Sequence, residues 1–566
     1  MNSIYVALFA FVAYILAYRF YGRFLSRRIF SIDPARLTPA HEFRDGVDFV
    51  PTKRHILFGH HFTSIAGAGP IVGPAIAVIW GWLPALVWIV FGSIAMGAVH
   101  DFGALVVSAR HGGRSIGEVT RELVGPRART LFLLLIFFAL LIVIAVFILV
   151  IGVLFVNYPA TVLPVWVELP LAVLLGFYIY RRSGNTLLAS VIALVVLYAF
   201  VLVGMHVPLR MPPLIMGSEV LTWSVVLLVY AYVASTLPVW VLLQPRDYIN
   251  SHQLFVGLGL LYLGLFIARP EIVAPAVNHN PVGAPVLIPF LFITVACGAI
   301  SGFHSLVSSG TTVKQLDNER DIPFIGYGSM LIEGVLSVLV ILACTAGFGS
   351  LSAWNAHYSS WDAAKGLGAK IGAFVEGGAS FLSATGIPHE LGAAIAAVLV
   401  ISFAATTLDT ATRIQRYVVS ELAEDLKLDF LKGRHPATTV AVVSAFALSM
   451  IKGGKGGLIL WPLFGTVNQL LGGLALLSVT MYLVRIGKPV YYTLLPMIFM
   501  LIMSAWSMIA NLGRFAEAGN WLLISIGSAI FLLEVWLVFE AVSVVRSLRG
   551  GERAGEVVAC PVGEEE

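Results

Sequence analysis

Fifteen apolar stretches, each close to the roughly 20 residues a helix needs to cross a bilayer, constrain this chain more than any motif does. They fall near 4–20, 62–80, 84–109, 129–156, 161–180, 186–206, 219–241, 253–268, 287–311, 325–347, 390–411, 436–451, 457–484, 490–511 and 520–545. Lipid offers backbone groups no hydrogen-bond partner, so repeated stretches of this length must be helices. Of the 566 residues 58% are hydrophobic and 12% charged, with a mean hydropathy of +0.91; a soluble domain of this size could not carry that without aggregating. The expected class is an all-α, polytopic transmembrane bundle of about 15 crossings.

The basic residues orient it. With the N-terminus outside, 28 of the 35 Lys and Arg fall in inner segments, and one helix missed or invented would scramble that asymmetry. The C-terminus is then cytoplasmic. The first stretch has no small-residue cleavage site and is followed by Arg19, Arg23, Arg27 and Arg28, so it reads as a retained anchor. Cys297, Cys344 and Cys560 have no ligand spacing and read as packing residues. The expected organisation is an anchor helix with a basic inner segment (1–54), a first five-helix repeat (55–210), connecting helices (211–285) and a second five-helix repeat (286–485). An outer insertion at 348–389, C-terminal helices at 486–546 and a disordered tail at 547–566 complete it. No feature points to nucleic acid; the partners expected are the bilayer and a small molecule.

Two stretches are interrupted. Residues 60–74 read His-His-Phe-Thr-Ser-Ile-Ala-Gly-Ala-Gly-Pro-Ile-Val-Gly-Pro, with three glycines and two prolines where a plain anchor would carry Leu and Val. Prolines remove amide donors and glycines free the backbone, so the helix should break there. The stretch 287–311 is interrupted by Cys297-Gly298-Ala299-Ile300-Ser301-Gly302-Phe303-His304-Ser305. The two insert in opposite senses and each opens a run of five crossings, the pattern of an inverted-repeat transporter with its site at the helix breaks. The alternative for the first is a kinked helix packed tightly through its glycines.

Ionisable residues inside the bilayer are expensive and carry most of the functional signal. His100 and Asp101, His304, and Glu333 lie on three such stretches, each roughly 10–13 Å from an inner helix end at about 1.5 Å per residue. Three readings compete for them. They form a proton relay, a structural pairing, or a divalent-metal site built from His60, His61, His100 and Asp101. A third patch, Ser402, Thr406, Thr407, Asp409 and Arg413, places hydroxyls that, opposite an unwound first helix and the Ala66 carbonyl, would make an oxygen-lined sodium site. Against that, Ser and Thr often bond the carbonyl four residues back, and Asp409 with Arg413 has the spacing of a local ion pair. Gln244-Pro245-Arg246-Asp247-Tyr248 reads as a turn ending a helix, with its own Arg/Asp pair. Trp461-Pro462 with Asn468 and Gln469 reads as a bend bonded to a neighbour. Gly453 to Gly457 is a turn and not a phosphate loop.

The runs Phe58-Gly-His-His-Phe-Thr-Ser-Ile-Ala-Gly-Ala-Gly-Pro70, Val99-His-Asp-Phe102, Ser301-Gly-Phe-His-Ser-Leu-Val-Ser-Ser-Gly-Thr311 and Thr406-Thr-Leu-Asp-Thr-Ala-Thr412, with Pro-Arg-Asp-Tyr and Trp-Pro-Leu-Phe-Gly, resemble the carbon starvation protein A (CstA) family over about residues 4 to 511. The resemblance implies inner-membrane uptake of small carboxylate nutrients, peptides or pyruvate, by symport with protons or sodium. The expected protein is a secondary transporter with a LeuT-like five-plus-five inverted repeat and extra peripheral helices. Gly67, Ala68 and Gly69 with Ser301, Gly302 and Ser305 are expected to hold substrate. His100, Asp101, His304, Glu333 and Asp409 are expected to couple an ion, and Ala66, Ser402, Thr406 and Thr407 to hold any sodium. Two alternatives are an intramembrane metalloenzyme and a nutrient sensor that binds without transporting.

Overall fold

The computed structural model describes residues 1–182, 186–454 and 456–549. The tail from 550 onward, with Cys560, and Lys455 in the glycine turn lie outside the described residues. Helices account for the architecture: α1 (Ser3–Ile29), α2 (Arg54–Ile65), α3 (Gly69–Trp80), α4 (Trp82–Ala109), α5 (Pro126–Asn157), α6 (Val162–Arg182), α7 (Thr186–His206), α8 (Glu219–Thr236) and α9 (Leu243–Ala268). They continue as α10 (Leu287–Thr294), α11 (Gly302–Val307), α12 (Glu319–Ala346), α13 (Leu367–Ser383), α14 (His389–Asp425), α15 (Arg434–Gly454), α16 (Gly456–Arg485), α17 (Tyr491–Glu517) and α18 (Trp521–Arg549). Thirteen of these are single helices long and apolar enough to cross a membrane, and α2 with α3 is a bent pair that crosses together. Thirteen spans, or fourteen with the bent pair, stand against the fifteen that hydropathy predicts; the difference is the stretch 287–311, which the structure divides into the short helices α10 and α11.

Burial sorts the helices into layers. In α5, α12, α14 and α16, 78–94% of the most apolar window is buried, against 28–39% in α1, α6, α7, α15, α17 and α18. The first group is the core and the second the lipid-facing rim. Trp521, Phe539, Leu214 and Tyr5 are among the exposed large side chains, as expected where the solvent is hydrocarbon rather than water.

Packing relates the two broken crossings. Helix α5 lies along α14, α8 lies along α5 as α15 lies along α14, and α9 lies against α2 as α16 lies against α11. The hairpin α6–α7 packs on the outside of α9. Several boundaries differ from the sequence reading. Helix α2 starts at Arg54 rather than 62, so His60 and His61 sit inside it. The Pro-Arg-Asp-Tyr run opens α9 instead of ending a helix, since Pro245 falls in the first turn, where no amide donor is needed. The insertion at 348–389 holds three helices, Leu351–His357, Trp361–Ala364 and α13. Cys297 and Cys344 are buried and free, as expected of packing residues.

Candidate functional site

Both interruptions are real and they meet. Helix α2 ends where Ala66 leaves the helical region (ψ 50°), and α3 resumes at Gly69 with Pro70 in its first turn, bent by 45°. The freed carbonyls are taken up by neighbours: Thr407 Oγ1 donates to Ser64 O (3.1 Å) and Ser337 Oγ to Pro70 O (3.2 Å). At the second break, Gln469 Nε2 donates to Phe292 O (2.8 Å), while Asn468 Oδ1 accepts from Phe303 N (3.0 Å) and Ser301 Oγ (3.1 Å). The two amides of α16 thus bond a neighbouring break, as their place beside Pro462 predicts. A Cβ on Gly69 would lie 2.3 Å from Cys297 Sγ, and one on Gly73 2.5 Å from Thr294 O. Only glycine lets α3 rest directly on the second break.

A cavity of about 650 Å³ ends on this contact. Gly69 and Cys297 form its floor, and Trp361 and Lys370 of the insertion, Trp461 of α16 and Arg514 of α17 line its walls. Of the six residues expected to hold substrate, Gly69 alone lines it. Gly67 faces Thr407 and Phe147, and Gly302 presses on α16, where a Cβ would meet Leu471 at 2.2 Å. Ala68 is buried away from the cavity, Ser301 is held by Asn468, and Ser305 bonds its own helix at Gly302 O (2.7 Å). The polar face of α11 is therefore used to pack the break, a role that spacing cannot distinguish from cargo contact.

The expected carboxylate and imidazole group does assemble. His304 Nδ1 is 3.0 Å from Asp101 Oδ2, and its Nε2 is 3.4 Å from Glu333 Oε2; His100 Nδ1 is 2.8 Å from Asp101 Oδ1. All four side chains are fully buried. One imidazole thus bridges two carboxylates contributed by α4 and α12. Glu333 has no hydrogen-bond partner among the described residues, and its ion-pair contact there is that imidazole. The four residues of the metal reading do not converge: His60 bonds Asp247 (2.5 Å) and Thr311 (3.2 Å), and His61 bonds Thr312 (2.9 Å). Adjacent residues on an intact helix point about 100° apart. Among the described residues, no group of three or more His, Cys, Asp or Glu is arranged to hold a metal ion.

A second buried charge cluster escaped the sequence reading. Arg246 of α9 reaches Glu168 Oε1 of α6 (3.1 Å), Tyr230 Oη of α8 (2.6 Å) and, in a very short contact, Asp409 of α14. Tyr230 also donates to Asp409 (2.5 Å). Asp247, next to Arg246, pairs with His60 on α2. Asp409 thus pairs across helices, not with Arg413. Arg413 instead binds Asp48 (2.8 Å) and the carbonyls of Ala234 (2.9 Å) and Leu237. The sequence shows Arg246 and Asp409 only as halves of local pairs, and Glu168 as a charge inside an apolar run.

In the hydroxyl patch, Thr407 sits against Gly67 at the first break, Thr406 Oγ1 donates to Ser402 O (3.0 Å) and accepts from Asn250 (3.0 Å), and Ser402 Oγ has no partner among the described residues. Helix α14 therefore does present hydroxyls to the unwound segment.

The end of the bundle away from the insertion is tied shut by ion pairs. Arg110 bonds Glu319 (2.5 Å) and Tyr482 (2.9 Å), Arg129 bonds Glu118 and Asp425, and Arg54 faces Asp321 (3.5 Å). Asp48 joins Arg413 and Arg416, and is presented by a turn in which Asp45 Oδ1 accepts three successive amides at 2.8–2.9 Å. Burial alone would raise the Asp48 carboxyl, but Arg413, Arg416 and Lys314 outweigh it and hold it at about 2. Its stabilising contribution is therefore complete above the ordinary Asp range and is lost only as pH falls towards 2. Asp48→Asn is expected to cost about 1.5–3 kcal/mol. Thermal unfolding of the variant and the parent at pH 5 and pH 8 should give the same difference at both; a difference that shrinks at pH 5 would contradict this.

The family model for carbon starvation protein CstA matches residues 2–364 and 362–507. The chain belongs to the CstA family. The peptide transporter CstA of Campylobacter jejuni is 34% identical over 92% of this chain and 82% of its own length. The pyruvate/proton symporter BtsT of Escherichia coli is 33% identical over 90% and 81%, and the peptide transporter CstA of Bacillus subtilis 32% identical over 87% of each. Among solved structures, an Eremococcus coleocola manganese transporter in complex with an aromatic bis-isothiourea compound aligns at TM-score 0.47 with 12% identity, covering 88% of this chain and 99% of the other. MhsT in complex with L-phenylalanine aligns at 0.47 with 11% identity, covering 80% and 99%.

Proposed function

We propose that this CstA-family chain is a secondary transporter, not an enzyme, that imports small carboxylates such as pyruvate or short peptides across the cytoplasmic membrane by alternating access. The observation that carries this is the meeting of two oppositely inserted, broken helices at the floor of a cavity, where substrate binds in transporters of inverted-repeat design. The first unit then comprises α2–α5 with α8 and α9, and the hairpin α6–α7 is an insertion within it. This redraws the repeat from 55–210, because α9 rather than α7 lies against the first broken helix. The N-terminus is outside, the insertion faces outwards, and the ion pairs around Arg110, Arg129 and Asp48 close the cytoplasmic side.

Protons drive uptake through Asp101, His304 and Glu333. A single imidazole between two carboxylates can hand a proton from one to the other, and the three groups lie on the second broken crossing and the two helices packed against it. The decisive experiment is uptake of labelled pyruvate and of dialanine into proteoliposomes, with proton and sodium gradients imposed separately. Accumulation under the proton gradient alone is expected; binding without accumulation would make the protein a sensor.

Sodium is the second reading, favoured by the unpartnered Ser402 hydroxyl and by Thr407 against the first break. Ser402→Ala and Thr406→Ala would then weaken sodium-stimulated uptake while leaving proton-driven uptake intact. If wild-type uptake is indifferent to sodium, this reading goes.

A further inference from the structure

We propose that Lys370, on helix α13 of the outer insertion, forms with Arg514 an anion-binding site that recognises the carboxylate of the transported substrate at the wall of the 650 Å³ cavity. The inference rests on the transport reading for the word "transported", and on the geometry alone for the site. Lys370 is only 5% exposed, and its ammonium faces the Trp461 ring at 5.1 Å. Arg514 faces the Phe290 ring at 5.4 Å. Neither has an acidic partner among the described residues, and no Asp or Glu lines the cavity. Lys365, the third cation on the wall, is already paired with Asp362 (2.5 Å).

A buried ammonium without a counter-ion is among the costliest groups a protein can hold, and such groups are ordinarily paired or neutralised. An aromatic face compensates only part of that cost. The remaining compensation has to come from what enters the cavity, which selects an anion and disfavours a cation. Each cation lies over its own aromatic ring, and the largely apolar remainder of the lining, including Phe290 and Phe464, suits a short organic acid or the C-terminal end of a small peptide.

Burial pushes the Lys370 amine down to about 7. Below that pH it is charged and binds an anion; above it, binding must first recruit a proton. The Michaelis constant for pyruvate should therefore rise with pH above about 7, by up to about ten-fold per unit. Of the groups lining the cavity, Lys370 is the one that titrates near neutral pH: α16 contributes Trp461, α17 Arg514 and Asn511, and the loop before α13 the paired Lys365. The proton-coupling residues add their own pH dependence, and the Lys370→Arg comparison isolates the part due to Lys370.

Two measurements test the site. In proteoliposomes, Lys370→Met is expected to raise the pyruvate Michaelis constant about ten-fold at pH 6, and Lys370→Arg, which stays charged, should flatten its rise between pH 7 and 8.5. In detergent, pyruvate and acetate should quench Trp461 fluorescence at pH 6, read as the difference from a Trp461→Phe variant, and Lys370→Met should abolish that quenching. The Met variant removes an unpaired buried charge, so its thermal midpoint is expected to be no lower than that of the parent. Unchanged quenching and an unchanged Michaelis constant in Lys370→Met would overturn the site, as would a parent protein that binds neither anion. Binding without uptake would leave the site standing and overturn the transport reading instead.

Discussion

Replacing Arg246 by Met is expected to be the most damaging single change in this protein, lowering stability by about 3–5 kcal/mol. The guanidinium holds Glu168, Asp409 and Tyr230 together where α6, α8, α9 and α14 converge, and both it and the two carboxylates are at most 1% exposed. Without it, Glu168 and Asp409 are left buried with no basic partner among the described residues, while Asp247 keeps His60. Removing one partner of a buried pair costs more than removing both, because the remaining charges keep their desolvation penalty. The yield of monodisperse protein and the thermal midpoint in detergent check this. A double variant, Arg246→Met with Asp409→Asn, should recover part of the loss. If it is no more stable than the single variant, the cluster is not held by that pair.

Asp101→Asn carries the largest expected effect on function. Its two carboxylate oxygens each meet an imidazole, His100 at 2.8 Å and His304 at 3.0 Å. Asparagine keeps the size of the side chain and one acceptor but can neither hold a negative charge nor exchange a proton, so the carboxylate–imidazole–carboxylate chain through His304 to Glu333 loses one end. Proton-driven accumulation of pyruvate should fall at least about ten-fold. Exchange of labelled for unlabelled pyruvate, which needs no net proton movement, should persist. Accumulation equal to that of the parent would remove Asp101 from the coupling role. Loss of exchange as well would indicate that the residue is needed for the conformational cycle itself.

These two predictions differ in how much of them was legible beforehand. Asp101, His304 and Glu333 are isolated ionisable residues at similar depth in stretches that open the two halves, so depth and repeat position alone bring them together. Arg246 stands beside Asp247 and reads as half of a local pair, yet its partners are 78 and 163 positions away. Nothing in its own helix announces them. Lys370 was hidden in the same way, one of two lysines in a loop that hydropathy marks only as lying outside the bilayer. Ser301, Gly302 and Ser305 have the polar, small-residue spacing of a substrate face, and in the structure Ser301 and Gly302 lie against α16 while Ser305 bonds its own helix.

The bilayer imposes its demand one residue at a time, through helix length, apolar content and the cost of a stray charge. For that reason the amino-acid order by itself determined the helical class, nearly all of the spans and the places where Gly and Pro break them. Which buried charges meet, which polar faces pack and which line a cavity depends on how helices hundreds of residues apart lie against one another. That was decided only in three dimensions, because a buried charge is satisfied by whatever group packing brings within about 3 Å, and sequence distance places no limit on that.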